Sequence, residues 1–352
     1  MHIRQLLGLF SFLFAVGCLQ AQDIHFTQYY MSPTTLNPAM TGKFEGTVRI
    51  GGIYRGQWAS VIGNKGQYTT PSLWVDAPVF RGFRKRDWLG IGLTFFTDKA
   101  GDLGLKHTAT KLSGTYHLAL DKKGQNLISI GGAYGQVQRS LDRKNAQFAD
   151  GLLLGDPFQS ADFRGLGDDV NATYSDIDGG IVLTARLNKQ TDFNIGYSMF
   201  HIGKPEFTLI GQDTLSTSGQ NGGAKRPLPQ RSVFHGQFNV KMNDRVTFSP
   251  SFFYQTMNGA DEIALQGIAG YLFNPQKDIT INFGLGYRLA DAMEILLGFQ
   301  QKNLRVGFAY DINISSLSAA TSYRGGFEIA ANYIFKKYKK AIIKPQIICP
   351  RF

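Results

Sequence analysis

Cysteine is nearly absent from this chain of 352 residues, with Cys18 and Cys349 the only two. Cys18 falls in a segment expected to be removed, so a disulfide scaffold is excluded for the mature protein. Charge is also sparse, at 18% of residues, against about 25% in ordinary soluble domains. No apolar run reaches the length of about 20 residues that a membrane-spanning helix needs. Catalytic motifs are missing too: there is no G-x-S-x-G, no H-E-x-x-H and no phosphate loop. The histidines, at 2, 25, 107, 117, 201 and 235, show no metal-ligand spacing. His107 and His117 read as polar positions on one strand. These absences lead us to expect no enzymatic activity and no cofactor.

Glycine and alternation are what the chain has in abundance. There are 41 glycines, and aromatic residues make up 13%. The segment Asp278–Leu289 shows the recurring phrase. Ile279, Ile281, Phe283, Leu285, Tyr287 and Leu289 fall on one face of an extended strand. Thr280, Asn282, Gly284, Gly286 and Arg288 fall on the other. Such a pattern fits a soluble sandwich with the apolar face inward, or a membrane barrel with that face toward lipid and the polar face toward the lumen.

The N-terminus favours the membrane reading. A short basic start to Arg4 precedes the apolar Leu6–Leu19, and Leu19-Gln20-Ala21 precedes Gln22-Asp23. That is the layout of a secretory signal peptide, with cleavage expected after Ala21. The rival is a lipoprotein signal acylated on Cys18, since Gly17 precedes it, although Ala15 stands where leucine is usual. Export argues against nucleic acid as the partner of the net charge of +11.

Residues 22–45 carry Pro33 and Pro38 and show no alternation, so they read as an irregular, plug-like periplasmic segment. The phrase then repeats about fourteen times. Strands are expected near 46–58, 67–78, 88–98, 106–120, 126–138, 174–187, 191–202, 230–242, 245–257, 262–273, 278–289, 292–301, 304–312 and 323–335. Every second connection is short and charged, such as Asp121-Lys-Lys-Gly-Gln125 and Asn188-Lys-Gln190. The other set contains two long ones, Ser140–Thr173 and Gly203–Pro229. Outer-membrane barrels have short periplasmic turns and longer external loops. The expectation is therefore an all-β transmembrane outer-membrane β-barrel over 46–335, of about 14 antiparallel strands, with both termini periplasmic and a tail over 336–352. A barrel of this size encloses space, and must conduct, be plugged or hold a partner's segment.

Three surface features invite a functional reading. The loop from Ser140 to Thr173 holds Asp142, Asp150, Asp156, Asp162, Asp168 and Asp169. It could bind calcium but matches no ligand template, and a solvated loop is its default. The short-turn rim is basic at Arg81, Arg84, Lys85, Arg86, Lys122 and Lys123 and again at Lys336, Lys337, Lys339 and Lys340. Such a rim keeps turns in water, or docks an acidic periplasmic partner. The tail continues past the last strand to Cys349-Pro350-Arg351-Phe352.

Two of these stretches carry a family resemblance. Phe26-Thr-Gln28-Tyr29-Tyr-Met-Ser-Pro33, then Leu36-Asn37-Pro38-Ala39-Met-Thr-Gly42, resembles the opening of the PorP/SprF family. Arg49-Ile-Gly-Gly-Ile-Tyr-Arg-Gly-Gln-Trp58 fits that family's first strand, and the terminal Cys349-Pro350-Arg351-Phe352 is similar to the ending of many members. The resemblance implies an integral outer-membrane protein of the type IX secretion system of Bacteroidetes, without enzymatic activity. It implies a docking platform for export or surface anchoring of cargo such as gliding adhesins. The expected partners are outer-membrane lipid, cargo C-terminal domains and periplasmic secretion components. The alternative is a porin or small-molecule transporter. A surface lectin is a third reading, but no aromatic and acidic cluster supports it.

Overall fold

The computed structural model describes residues 23–58, 61, 67–81, 86–101, 104–141, 170–207 and 226–336. Alternation becomes strand wherever it was read. The strands are β1 (Val48–Gln57), β2 (Tyr68–Val79), β3 (Trp88–Ala100), β4 (Leu105–Ala119), β5 (Leu127–Leu141), β6 (Val170–Arg186) and β7 (Thr191–Phe200). After a two-residue pair, β8 (Glu206–Phe207) with β9 (Arg226–Pro227), follow β10 (Arg231–Lys241), β11 (Val246–Met257), β12 (Ala260–Asn274) and β13 (Ile279–Arg288). β14 (Ala292–Gln301), β15 (Leu304–Asn313) and β16 (Arg324–Phe335) complete the set.

Fourteen of these form one closed antiparallel barrel. It closes where β1 meets β16, from Val48↔Phe335 to Gln57↔Gly326. Closure removes the unpaired edges that would otherwise expose backbone N–H and C=O groups to lipid. The first strand starts and the last strand ends on the rim that carries the short turns. At the opposite rim Asn258 and Gly259 both take positive φ, 51° and 82°. This is the two-residue Asn-Gly hairpin whose twist matches that of its strands.

The two faces sort as the pattern requires. Ile281, Phe283, Leu285, Tyr287 and Leu289 are 43 to 56% exposed on the outside, while Gly284 and Arg288 are buried on the lumen side. In β1, Ile50 and Tyr54 point out, and Ile53 and Arg55 are buried within. The exterior is the apolar surface that lipid needs, and the protein is an integral membrane barrel. Its buried core lies inside the lumen, around Ile53, Trp74, Phe96 and Val137.

Some details differ from the sequence expectation. β5 and β6 run on to Leu141 and back to Val170, because Gln136, Gln138, Thr173 and Ser175 keep pairing although they are not apolar. The β8–β9 pair and a one-turn helix at Ser318–Thr321 were not expected, being too short to show a period.

Candidate functional site

Residues 23–42 lie inside the barrel. This segment begins beside Arg231, the first residue of β10 at the long-loop end, whose guanidinium donates to the Ile24 carbonyl at 2.7 Å. It leaves beside Trp88 and Asp76, near the short-turn rim. There the Gly42 N–H donates to Asp76 at 2.7 Å and the Trp88 indole donates to the Gly42 carbonyl at 3.1 Å.

Local sequence explains how so short a stretch turns inside a tube. Tyr29–Met31 and Pro38–Met40 are 3-10 turns, and Pro33–Leu36 is a single helical turn, α1. Pro33 and Pro38 each open a turn, where the missing N–H has no helical partner to lose. Asn37 caps the second turn by accepting from the Ala39 N–H at 2.9 Å.

Few polar groups of the segment are left to water. The Thr27 and Gln28 N–H groups both donate to the Glu328 carboxylate, at 2.6 and 2.8 Å. The Thr27 carbonyl accepts from Gln266 at 2.8 Å, and the Tyr29 hydroxyl donates to Ser251 at 2.8 Å. Asn37 donates to the Tyr197 carbonyl at 3.1 Å, and the Leu36 carbonyl accepts from Ser198 at 2.8 Å. The Pro38 carbonyl accepts from Thr115 at 2.7 Å, and the Thr41 carbonyl lies 2.8 Å from His117 Nε2. The contacts therefore reach strands on every side of the barrel.

Lumen glycines make this approach possible. A Cβ at Gly307 would overlap the Gln28 amide, at Gly180 the Asn37 amide, at Gly131 the Pro38 carbonyl and Ala39 Cα, and at Gly90 the Thr41 carbonyl. Strand glycine commonly marks such close passage of another backbone. The family-motif residues Gln28, Asn37 and Ala39 are fully buried, and Tyr29, Pro33, Pro38 and Gly42 are buried with them. The motif is thus a seal between the segment and the wall.

Three charge clusters fasten the seal. Near Thr27, Arg55 pairs with Glu328 at 2.6 Å and with Asp311 at 3.1 Å, and Arg288 pairs with Asp311 at 2.6 Å and with Glu294 at 3.1 Å. Near Asp23, Lys111 binds both Asp176 and Asp178 at 2.6 Å. His201 bridges Asp176 and Asp23, and Arg231 pairs with Asp23 at 3.2 Å. Near the short-turn rim, Arg49 clasps Asp76 through two nitrogens, at 2.6 and 2.9 Å. Buried charges of this kind are tolerated only when paired and hydrogen-bonded. Burial opposes the charge of Asp23, but Arg231 and His201 outweigh it and hold the carboxyl well below its ordinary range. Burial and then the guanidiniums of Arg55 and Arg288 keep His25 well below its ordinary value, hence neutral.

Asp176, Asp178 and His201 come close enough to ligate a metal, with ligand atoms within 4.8 Å of one another. The histidine spacing concealed this cluster, because the carboxylates come from a different strand. Its cation is the Lys111 ammonium, which already holds both aspartates. Nothing in the sequence alone paired Lys111 with them.

On the short-turn rim, Arg86 and Lys336 are exposed. The other residues expected there, Arg84, Lys85, Lys337, Lys339 and Lys340, lie outside the described residues. So do Ala21, Cys18, the acidic aspartates from Asp142 to Asp169, and Cys349 to Phe352. Arg81, Lys122 and Lys123 of the expected rim are exposed as well, and the cationic character extends to Lys189, Arg245, Lys277 and Lys302 on further short turns; Glu45, Asp244 and Asp278 are exposed acids among the described residues of this rim.

A family model described as type IX secretion system membrane protein PorP/SprF matches residues 19–333. No curated protein matches the chain. Among solved structures, the Pseudomonas putida toluene transporter TodX is similar at 13% identity, over 88% of this chain and 94% of that one, with a TM-score of 0.49. A Pseudomonas aeruginosa FadL homologue is similar at 10% identity, over 85% and 93%, with a TM-score of 0.48. The Ralstonia pickettii toluene transporter TbuX is similar at 14% identity, over 86% and 93%, with a TM-score of 0.47. At such identities and scores, the ligands named for those proteins are theirs alone.

Proposed function

Because this chain belongs to the PorP/SprF family of type IX secretion system membrane proteins, we propose that it is a docking platform for export or surface anchoring of cargo proteins, such as gliding adhesins. Family and closed barrel together make it an integral protein of the outer membrane. The observation that carries the platform reading is the occupied lumen. Residues 23–42 are bonded to strands around the whole wall, and Gln28, Asn37, Ala39 and Thr41 have essentially no exposure. A conduit needs a continuous polar path, and the segment stands across it. The work is then left to surfaces, and the reading involves no catalysis.

The cationic short-turn rim is the surface we assign to periplasmic secretion components and cargo C-terminal domains. Exposed basic residues on successive turns favour approach of an acidic partner and tune the rate and specificity of encounter more than raw affinity. Replacing Lys336, Lys337, Lys339 and Lys340 with Gln tests this. The barrel should still insert, and cargo display at the cell surface should fall. Full display by an inserted variant would defeat the reading.

A further inference from the structure

The barrel wall is uneven in height. At the β13–β14 hairpin on the long-loop side, outward apolar residues run up to the turn, with Leu289 and Met293 on either side of Ala290 and Asp291. From β3 to β6 the apolar band stops early. Its last complete row is Leu93–Leu112–Tyr134–Ile177, neighbours in register and 45 to 65% exposed. Above it the outward residues change character. The next rows are Phe95–Thr110–Gln136–Ser175 and Thr97–Thr108–Gln138–Thr173, and the following one is Lys99–Lys106–Ser140–Asn171. Two residues of strand advance roughly 6.7 Å, so with a tilt near 45° three rows stand on the order of 15 Å above the apolar boundary.

Two properties of this face point to a ligand. Its polar residues are hydroxyls and amides without charge, able to donate and accept along a flat sheet. The top row then sets Lys99 directly opposite Lys106, both exposed, and neither forms an ion pair with any described residue. Like charges facing each other across a strand pair are destabilising. An anion between them removes the repulsion, and the lipid band directly below places the face at the headgroup layer of the external leaflet.

We propose that the outer face of β3–β6 binds the phosphorylated saccharide headgroup of an external-leaflet glycolipid. Lys99 and Lys106 hold a phosphate. Thr108, Gln136, Gln138 and Thr173 meet the sugar hydroxyls. Basic residues beside a membrane surface recognise anionic headgroups in this manner. The proposal stands apart from cargo docking, which uses the other rim.

The test uses the full-length protein in detergent and native mass spectrometry with three probes: a rough lipopolysaccharide of lipid A and inner sugars, its dephosphorylated form, and phosphatidylglycerol. The intact glycolipid should be retained about tenfold more strongly than either of the others, a difference of about 1.4 kcal/mol. Lys99→Gln with Lys106→Gln should lower its retention to that of the dephosphorylated form. Gln136→Leu with Thr173→Val should weaken both glycolipids. Folding of each variant is read from its heat-modifiable migration, and outward positions leave the lumen packing intact. Equal retention of all three probes, no retention of the glycolipid, or a double lysine variant that binds as wild type would each overturn the proposal.

Discussion

Glu328 is the place where the lumen segment is most exposed to a single substitution. Its side chain is 1% exposed and accepts the Thr27 and Gln28 N–H groups while pairing with Arg55 at 2.6 Å. Glu328→Ala leaves two buried donors without acceptors, each costing about 1–3 kcal/mol. Arg55 keeps Asp311 at 3.1 Å, so the full loss of about 3–5 kcal/mol for a broken buried pair is not expected on top. A net cost of about 3 kcal/mol should raise the unseated population roughly a hundredfold. The barrel ladder itself is unchanged, since Glu328 still pairs through its backbone with Arg55 and Ala309. Two readouts follow: brief conducting events in a planar bilayer, and faster hydrogen exchange over residues 23–42. If the folded variant stays as silent and as protected as wild type, the carboxylate is not what holds the segment.

Two further outcomes test the charge clusters. Arg288 Nη1 lies 3.1 Å from His25 Nε2, and since a guanidinium only donates, that nitrogen accepts and the ring is neutral. A histidine whose folded value is depressed contributes stability that is complete above its ordinary 6.5 and is lost as pH falls below it. Protection of residues 23–42, taken relative to the intrinsic amide exchange rate at each pH, should therefore fall as pH drops below about 6.5, and His25→Gln should lessen that response; an identical response would refute the assignment. Lys111→Ala should destabilise by about 3–5 kcal/mol by stranding Asp176 and Asp178. The vacated site should then accept zinc, which at a hundred times its Kd restores about 2.7 kcal/mol. A variant whose unfolding temperature ignores zinc would show that the three side chains cannot ligate together.

The wall was legible because its signal is local. Leu285 and Arg288 belong to opposite environments, and a period of two states this without knowledge of any neighbour. Turn chemistry did the same for Asn258–Gly259. The rim charges were likewise readable, since a charged turn between two alternating runs sits at the membrane boundary whatever the register. Lumen glycines announced small positions, but what approached them was not readable. Gly180 and Asn37 are far apart in sequence, and only closure of the barrel brings the amide over that gap.

Sequence by itself thus determined the architecture: about fourteen alternating strands, an apolar exterior, short turns on one side and long loops on the other. Alternation is a property of adjacent residues and survives without tertiary context. The tertiary structure decided what fills the barrel and what remains outside it. Closure set the motif from Gln28 to Gly42 against the lumen glycines, gathered Asp176, Asp178 and His201 around Lys111, and placed Lys99 opposite Lys106 above the lipid. Each of these depends on strand register and on contacts between residues distant in the chain, which no local pattern encodes.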